Sequence, residues 1–155
     1  MSPEQLSKNN SESGQQKALF AWAAMAQRLG FHVANDMDSY RARSQDEAVA
    51  YLKRFPNCMQ VPALRWLHAI PNGGARDPVT AARLKAEGVK AGVPDTFLPV
   101  GRHGKHGLYI EMKKTSGRLS DEQKEFEAWC NAEGFAFHVC YTWREAANVL
   151  QAYLT

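Results

Sequence analysis

One stretch, GVPDTFLPVGRHGKHGLYIEMKK at residues 92–114, constrains the fold more than any other part of the chain. Two apolar segments flank a loop rich in glycine and histidine, which is the pattern of a β-hairpin. Side chains on a strand alternate faces. In GLYIEMKK this puts Leu108, Ile110 and Met112 on one face, and Tyr109, Glu111 and Lys113 on the other. The apolar set has to be covered, so helices are expected to pack on it. The charged set places a carboxylate and an ammonium one pleat apart.

Folding the hairpin about Gly104 brings Asp95 across from the Glu111–Lys113 segment, within cross-strand reach. Two carboxylates that close repel each other unless a cation lies between them. Oxygen ligands of this kind suit Mg²⁺ or Mn²⁺, with water and phosphate oxygens completing the shell. The backbone O of Met112 is a further candidate ligand. A lysine beside such an ion favours ionisation of an attacking water and stabilises charge building on phosphate oxygens. The spacing leaves a blander account open: Pro94-Asp95 as an ordinary turn, and Glu111 and Lys113 as a solvated strand edge.

The rest of the chain sets the frame. Its 155 residues suffice for one domain with a real core, and 45% hydrophobic residues exclude a disordered chain. No apolar run is long enough to span a bilayer. The N-terminus, MSPEQLSKNNSESGQQ, is polar and has no secretory apolar core, so a cytoplasmic protein is expected. The three cysteines, Cys58, Cys130 and Cys140, form no CxxC pair and read as buried thiols. A net charge of +3 permits a polyanionic partner without requiring one.

Residues 1–13 read as a solvated tail, and residues 14–155 as one domain. A helix is expected over Gln15–Leu29, with Leu19, Trp22, Ala23, Ala26 and Leu29 on one stripe and Gly30 as its stop. SQDEAVAYLKRF reads as a short helix capped by Ser44 and ended by Pro56 and Asn57. LRWLHAI has strand character. DPVTAARLKAEG is a helix capped by Asp77 and closed by Gly88. LSDEQKEFEAWCNAEG is an amphipathic helix with Ser120 as cap and Gln123 three residues on. FAFHVCYT is a strand and WREAANVLQAYL a last helix. Interleaved strands and helices make the class α/β or α+β.

The blocks AIPNGGARDP, RLKAEGVKAGVPD, GLYIEMKK and GRLSDEQKEF follow one another in this order. Together they resemble the virus-type replication-repair nuclease (VRR-NUC) domain of the PD-(D/E)xK superfamily, from about Leu64 to Leu154 and, more weakly, over the first helix. The resemblance implies an α/β, restriction-endonuclease-like core, a mixed β-sheet flanked by helices. It implies a nuclease that uses Mg²⁺ or Mn²⁺ to hydrolyse DNA phosphodiesters, with branched or four-way junction DNA as substrate. A homodimer, and a role in replication, recombination or repair in a bacterial or phage-infected cell, are implied in the same way. The metal ligands then fall on Asp95 and Glu111, the catalytic lysine on Lys113, and a site glutamine on Gln123. For Gln123, a capping box with Ser120 is the competing role.

The family's acidic residue on the first helix falls on Glu12. The match is loose, because relatives carry further acids where this chain has Gly14 and Gln15. Asn72, Gly73 and Gly74 form either a tight turn or a loop whose amides approach phosphate. Arg76, Arg83, Lys85, Lys90 and Lys114 are candidates for the DNA backbone, or else a solvated helix face. The long segment of about 31–61 departs from the family's compact pattern. GRHGKHG is a basic connector; His103 and His106 lack the partners of a zinc site. Trp66, Trp129 and Trp143 read as core, and His68 and His138 as interior histidines. Two further readings stand beside the nuclease: a DNA-binding module of the same fold without catalysis, and a dimerising accessory protein.

Overall fold

The computed structural model describes residues 1–41, 45–55, 59–71 and 77–155. The chain begins with a one-turn helix α1 (Pro3–Leu6), followed by α2 (Glu12–Leu29) and α3 (Phe31–Asn35). A 3-10 turn (Met37–Arg41), helix α4 (Gln45–Leu52) and a second 3-10 turn (Pro62–Trp66) lead to strand β1 (His68–Ala69). Then come α5 (Pro78–Ala86), β2 (Thr96–Leu98), β3 (Leu108–Met112), α6 (Asp121–Ala132), β4 (Ala136–Cys140) and α7 (Trp143–Leu154). Among the described residues the sheet has four strands in the order β1-β2-β3-β4. β1–β2 and β2–β3 are antiparallel, and β3–β4 is parallel. The fold is therefore the mixed α/β sheet flanked by helices that the sequence led us to expect.

The hairpin forms as read. Leu98 pairs with Leu108 and Thr96 with Ile110. Its tip is a two-residue turn at His103 and Gly104, both at positive φ, closed by Arg102 and Lys105. Leu108, Ile110 and Met112 are fully buried in one core with Ala18, Leu19, Trp22 and Ala26 of α2 and Ala146, Ala147 and Leu150 of α7. The opposite face meets α6, where Tyr109 stacks on Phe97 at 4.2 Å and meets Phe126 edge-on at 5.1 Å. Period two along β3 thus decides which side chains face the α2–α7 layer and which face α6.

The supposed tail is folded. Ser2 and Gln5 close a capping box on α1, Pro3 is buried, and Glu4 pairs with Arg144 of α7. α2 starts at Glu12 rather than Gln15, with the Ser11 hydroxyl accepting from the Gly14 N–H at 3.0 Å. A Cβ on Gly14 would lie 2.9 Å from the Leu6 carbonyl oxygen, so glycine lets α1 lie against α2.

LRWLHAI is not one strand. Pro62 opens a 3-10 turn, Leu64 and Leu67 are buried three residues apart, and only His68–Ala69 pair with β2. Trp66 is consequently exposed, and so are His68 and His138, on the two edge strands. Trp129 is half exposed, although it stacks on Phe135 at 5.5 Å. Trp143 is core as expected. Cys130 and Cys140 are buried free thiols that burial pushes up to about 11 and about 12, so both stay neutral near pH 7. Cys58, Ser44, Pro56 and Asn57 lie outside the described residues.

The long segment leaves and rejoins the body at one place. The Ala26 carbonyl accepts from both Gly30 N–H at 2.8 Å and Val61 N–H at 3.2 Å. Between these points α3 packs on α2 through a Trp22–Phe31 stack at 5.7 Å. Asn35 accepts from Trp22 Nε1 at 2.8 Å and donates to Gln151 Oε1 at 3.0 Å, which ties α3 to α7. Among the described residues no helix is long and apolar enough to cross a membrane.

Candidate active site

Asp95 precedes β2 and Glu111 lies near the end of β3, so antiparallel pairing sets them at the same end of the hairpin. Thr96 and Ile110 face the α2–α7 core, which turns their neighbours Asp95 and Glu111 to the other face. Lys113 follows two residues on, and its Nζ lies 2.8 Å from Glu111 Oε1. Asp95 Oδ2 accepts from the Met112 N–H at 2.8 Å. Asp95 is thus fixed by the amide of Met112, the residue whose carbonyl is a candidate ligand.

Gln123 completes the cluster from α6. Its Oε1 accepts from the Ser120 N–H at 3.0 Å while its backbone N–H donates to the Ser120 hydroxyl, a full capping box. Its Nε2 donates to Glu111 Oε1. The Gln123 amide has one end for the Ser120 cap and the other for Glu111. Gly92 makes this reach possible. At φ +83° it runs against the first turn of α6, and a Cβ there would be 2.6 Å from the Glu122 carbonyl oxygen.

The electrostatics follow from this packing. Glu111 is 3% exposed. Burial raises its carboxyl above the ordinary 4.5; Lys113 opposes the shift and Asp95 adds to it. Burial likewise raises Asp95 above 3.8, against the pull of the Met112 amide and Lys113, with Glu12 adding to the rise. Glu111 Oε1 is doubly bonded, whereas Glu111 Oε2 is buried with no hydrogen-bond partner. A buried, unpartnered carboxylate oxygen beside a second carboxylate is a donor set that fits a hard divalent cation such as Mg²⁺ or Mn²⁺.

Glu12 stands at this centre too. Its Oε1 accepts from the Lys114 N–H at 3.3 Å, so the first turn of α2 meets the end of β3. Among the described residues no three His, Cys, Asp or Glu side chains form a metal-binding group. Gln15 is buried and serves elsewhere: its Oε1 accepts from the Trp143 N–H at 2.8 Å, at the start of α7.

The basic candidates are dispersed. Lys114 is exposed next to the centre, Lys85 and Lys90 are exposed on and after α5, and Arg83 pairs with Glu87 at 3.9 Å. Asn72, Gly73, Gly74 and Arg76 lie outside the described residues. No signal in the sequence marks the Met112 amide or the Gly92 contact, since both depend on which backbone atoms meet across elements.

A family model for the VRR-NUC domain matches residues 36–143. A solved structure described as a VRR_NUC domain protein is similar to this chain with a TM-score of 0.58 and 24% identity, over 92% of this chain and 87% of that one. At that identity the likeness speaks for the fold. Among curated proteins none matches.

Proposed function

The chain belongs to the VRR-NUC domain family, a nuclease-type family, and on that premise we propose that it hydrolyses DNA phosphodiester bonds with the help of Mg²⁺ or Mn²⁺. What supports this most is one arrangement: two carboxylates and an amine at one end of a hairpin, with Glu111 Oε2 buried and unpartnered. Asp95 and Glu111 would hold the ion, with the Met112 carbonyl as a further ligand, and Glu12 would act from outside the ligand set through the Lys114 amide. A divalent ion bound there supplies a Lewis acid for the phosphoryl group and lowers the pKa of water.

The chain's own residues do the rest. Gln123 and Lys113 hold Glu111 by the same oxygen, which leaves the other oxygen free in a fixed direction. The Lys113 ammonium sits where it can donate to a phosphate oxygen or steady the attacking water. The Met112 amide holds Asp95 in register with Glu111. Branched DNA as the preferred substrate, action as a homodimer, and a repair or recombination role in a bacterial or phage-infected cell belong to the same proposal.

A cleavage panel over single-stranded, duplex, flap and four-way DNA tests it. The wild type is expected to cut at least one of these with Mg²⁺ or Mn²⁺ and none in EDTA. Lys113→Ala is expected to lose about 10²–10³-fold in rate, the scale for removing a group that stabilises transition-state charge. DNA binding by the wild type without any metal-dependent cutting would favour the non-catalytic DNA-binding module instead.

A further inference from the structure

The sheet face that bears the acidic centre is only partly covered. Strand pairing sets His68, Phe97, Tyr109 and Phe137 in one row across all four strands, and none of the four is buried. Helix α6 packs on this face, yet its one buried residue is Cys130, and its Trp129 is 45% exposed. We propose that two copies of the chain pair through this face, about a two-fold axis that runs across the hairpin. The proposal rests on the homodimer inferred with the nuclease function and assigns it a face and a direction.

The patch is built from rings in contact. Trp129 stacks on Phe135 at 5.5 Å, Phe135 meets Phe97 at 6.1 Å, and Phe97 meets His68 edge-on at 5.8 Å. Phe97 lies down across β3 because residue 107 is glycine; a Cβ there would be 2.7 Å from the ring. Joined, half-exposed rings mark interaction surfaces, where Trp, Tyr and Phe are enriched and Trp is among the strongest anchors. Ring against ring has no sign of charge, so such a patch fits a copy of itself.

Charge selects the second copy and its direction. At the hairpin tip Arg102 and Lys105 are a cross-strand pair that exchanges both N–H···O bonds, at 3.1 and 2.8 Å. Like charges directly opposite each other destabilise a hairpin. No acidic residue lies between Asp95 and Glu111 to relieve them. Among the described residues neither makes an ion pair. On α6, Glu122, Glu125 and Trp129 fall at i, i+3 and i+7, one stripe of exposed side chains. The two glutamates make no ion pair among the described residues either. α6 starts at the acidic centre, where Gln123 meets Glu111, and ends at the tip side, where the His106 N–H donates to the Gly134 carbonyl at 2.9 Å. Unpaired bases and unpaired acids therefore stand at opposite ends of one aromatic patch.

A two-fold axis across the hairpin reverses its direction. It lays patch on patch and sets the Arg102–Lys105 tip of each copy against Glu122 and Glu125 of the other. An axis along the hairpin would set base on base and acid on acid, which is repulsive. The contact falls on α6, so pairing also steadies the helix that carries Gln123 to Glu111.

Sedimentation equilibrium of the full chain over a range of concentrations tests this, with cleavage of DNA measured beside it. The wild type is expected to approach twice the mass of one chain and to weaken as salt rises. Trp129→Ser is expected to raise the dissociation constant about tenfold or more. Arg102→Glu with Lys105→Glu, and separately Glu122→Lys with Glu125→Lys, are expected to do the same. All four charge reversals together restore opposite signs across the axis and are expected to bring the dimer back. That rescue separates lost pairing from lost folding, because the rescued chain carries every reversal at once.

A monomeric wild type, charge reversals that leave the dimer unchanged, or a fourfold variant that stays monomeric would overturn the interface. A monomeric wild type that cuts DNA overturns the interface alone. A dimer that responds as expected but cuts no DNA keeps the interface and overturns the nuclease function.

Discussion

At the scale of single residues, Glu111 concentrates the chemistry. One oxygen is held by Lys113 and Gln123 while the other is buried without a partner. Burial raises the carboxyls of Glu111 and Asp95 above their ordinary 4.5 and 3.8. With a raised folded pKa, the unfolded chain ionises first as pH rises, and the folded state keeps its proton longer. Both groups therefore lower metal-free stability as pH climbs from about 4 through their folded pKa. Glu111→Gln removes one such penalty. In EDTA its urea midpoint is expected to exceed that of the wild type at pH 7 and to converge with it near pH 4. A wild type that gains on the variant as pH rises would show that Glu111 is stabilised as an anion without metal. Gln123→Glu is a second test at this scale. It keeps the capping box, which accepts glutamate, but sets a second carboxylate against Glu111. Cleavage is expected to fall by about 10–100-fold, the scale of a lost hydrogen bond to a charged group, with little change in melting temperature. A loss of stability equal to that of Gln123→Ala would mean that the residue is only a cap.

At the scale of elements, the hairpin and α6 must meet for the centre to exist. The contact runs through Gly92, where the chain at φ +83° touches the first turn of α6. Gly92→Ala meets both an unfavourable backbone conformation and a clash with the Glu122 carbonyl. It is expected to cost about 1–3 kcal/mol and to reduce cleavage further by pulling Gln123 away from Glu111; denaturant melts beside rate measurements check both. Unchanged activity would show that Gln123 reaches Glu111 without this contact. The same elements show what a sequence reveals. The hairpin, the Asp77 and Ser120 caps and the glycine stops at Gly30 and Gly88 were legible because each is decided within a few residues. The segment LRWLHAI misled because its branched and aromatic residues suit a strand. Its spacing of three between Leu64 and Leu67 was the truer signal, set by Pro62 at the start of a 3-10 turn. Residues 1–13 misled because α1 is held by partners outside itself, the remote Arg144 of α7 and the Gly14 surface of α2.

At the scale of the whole molecule, the sheet separates two tasks. One face is closed by α2 and α7 into a continuous apolar core. The other bears α6, and its end carries the acidic centre. Glu12, from the start of α2, reaches the same place past the end of β3, which joins α2 to the hairpin. The convergence of Asp95, Glu111 and Lys113 could be read from strand alternation together with the folding of the hairpin about Gly104, whereas the Met112 amide and the doubly held Glu111 oxygen required the assembled fold. Calorimetric titration of Mn²⁺ into the metal-free protein near pH 7 tests the claim that this centre holds a divalent cation. The wild type is expected to bind with measurable heat, Asp95→Asn and Glu111→Gln to lose that binding, and Lys90→Ala to keep it. Binding that survives in both carboxylate variants, or its absence from the wild type, would contradict the account.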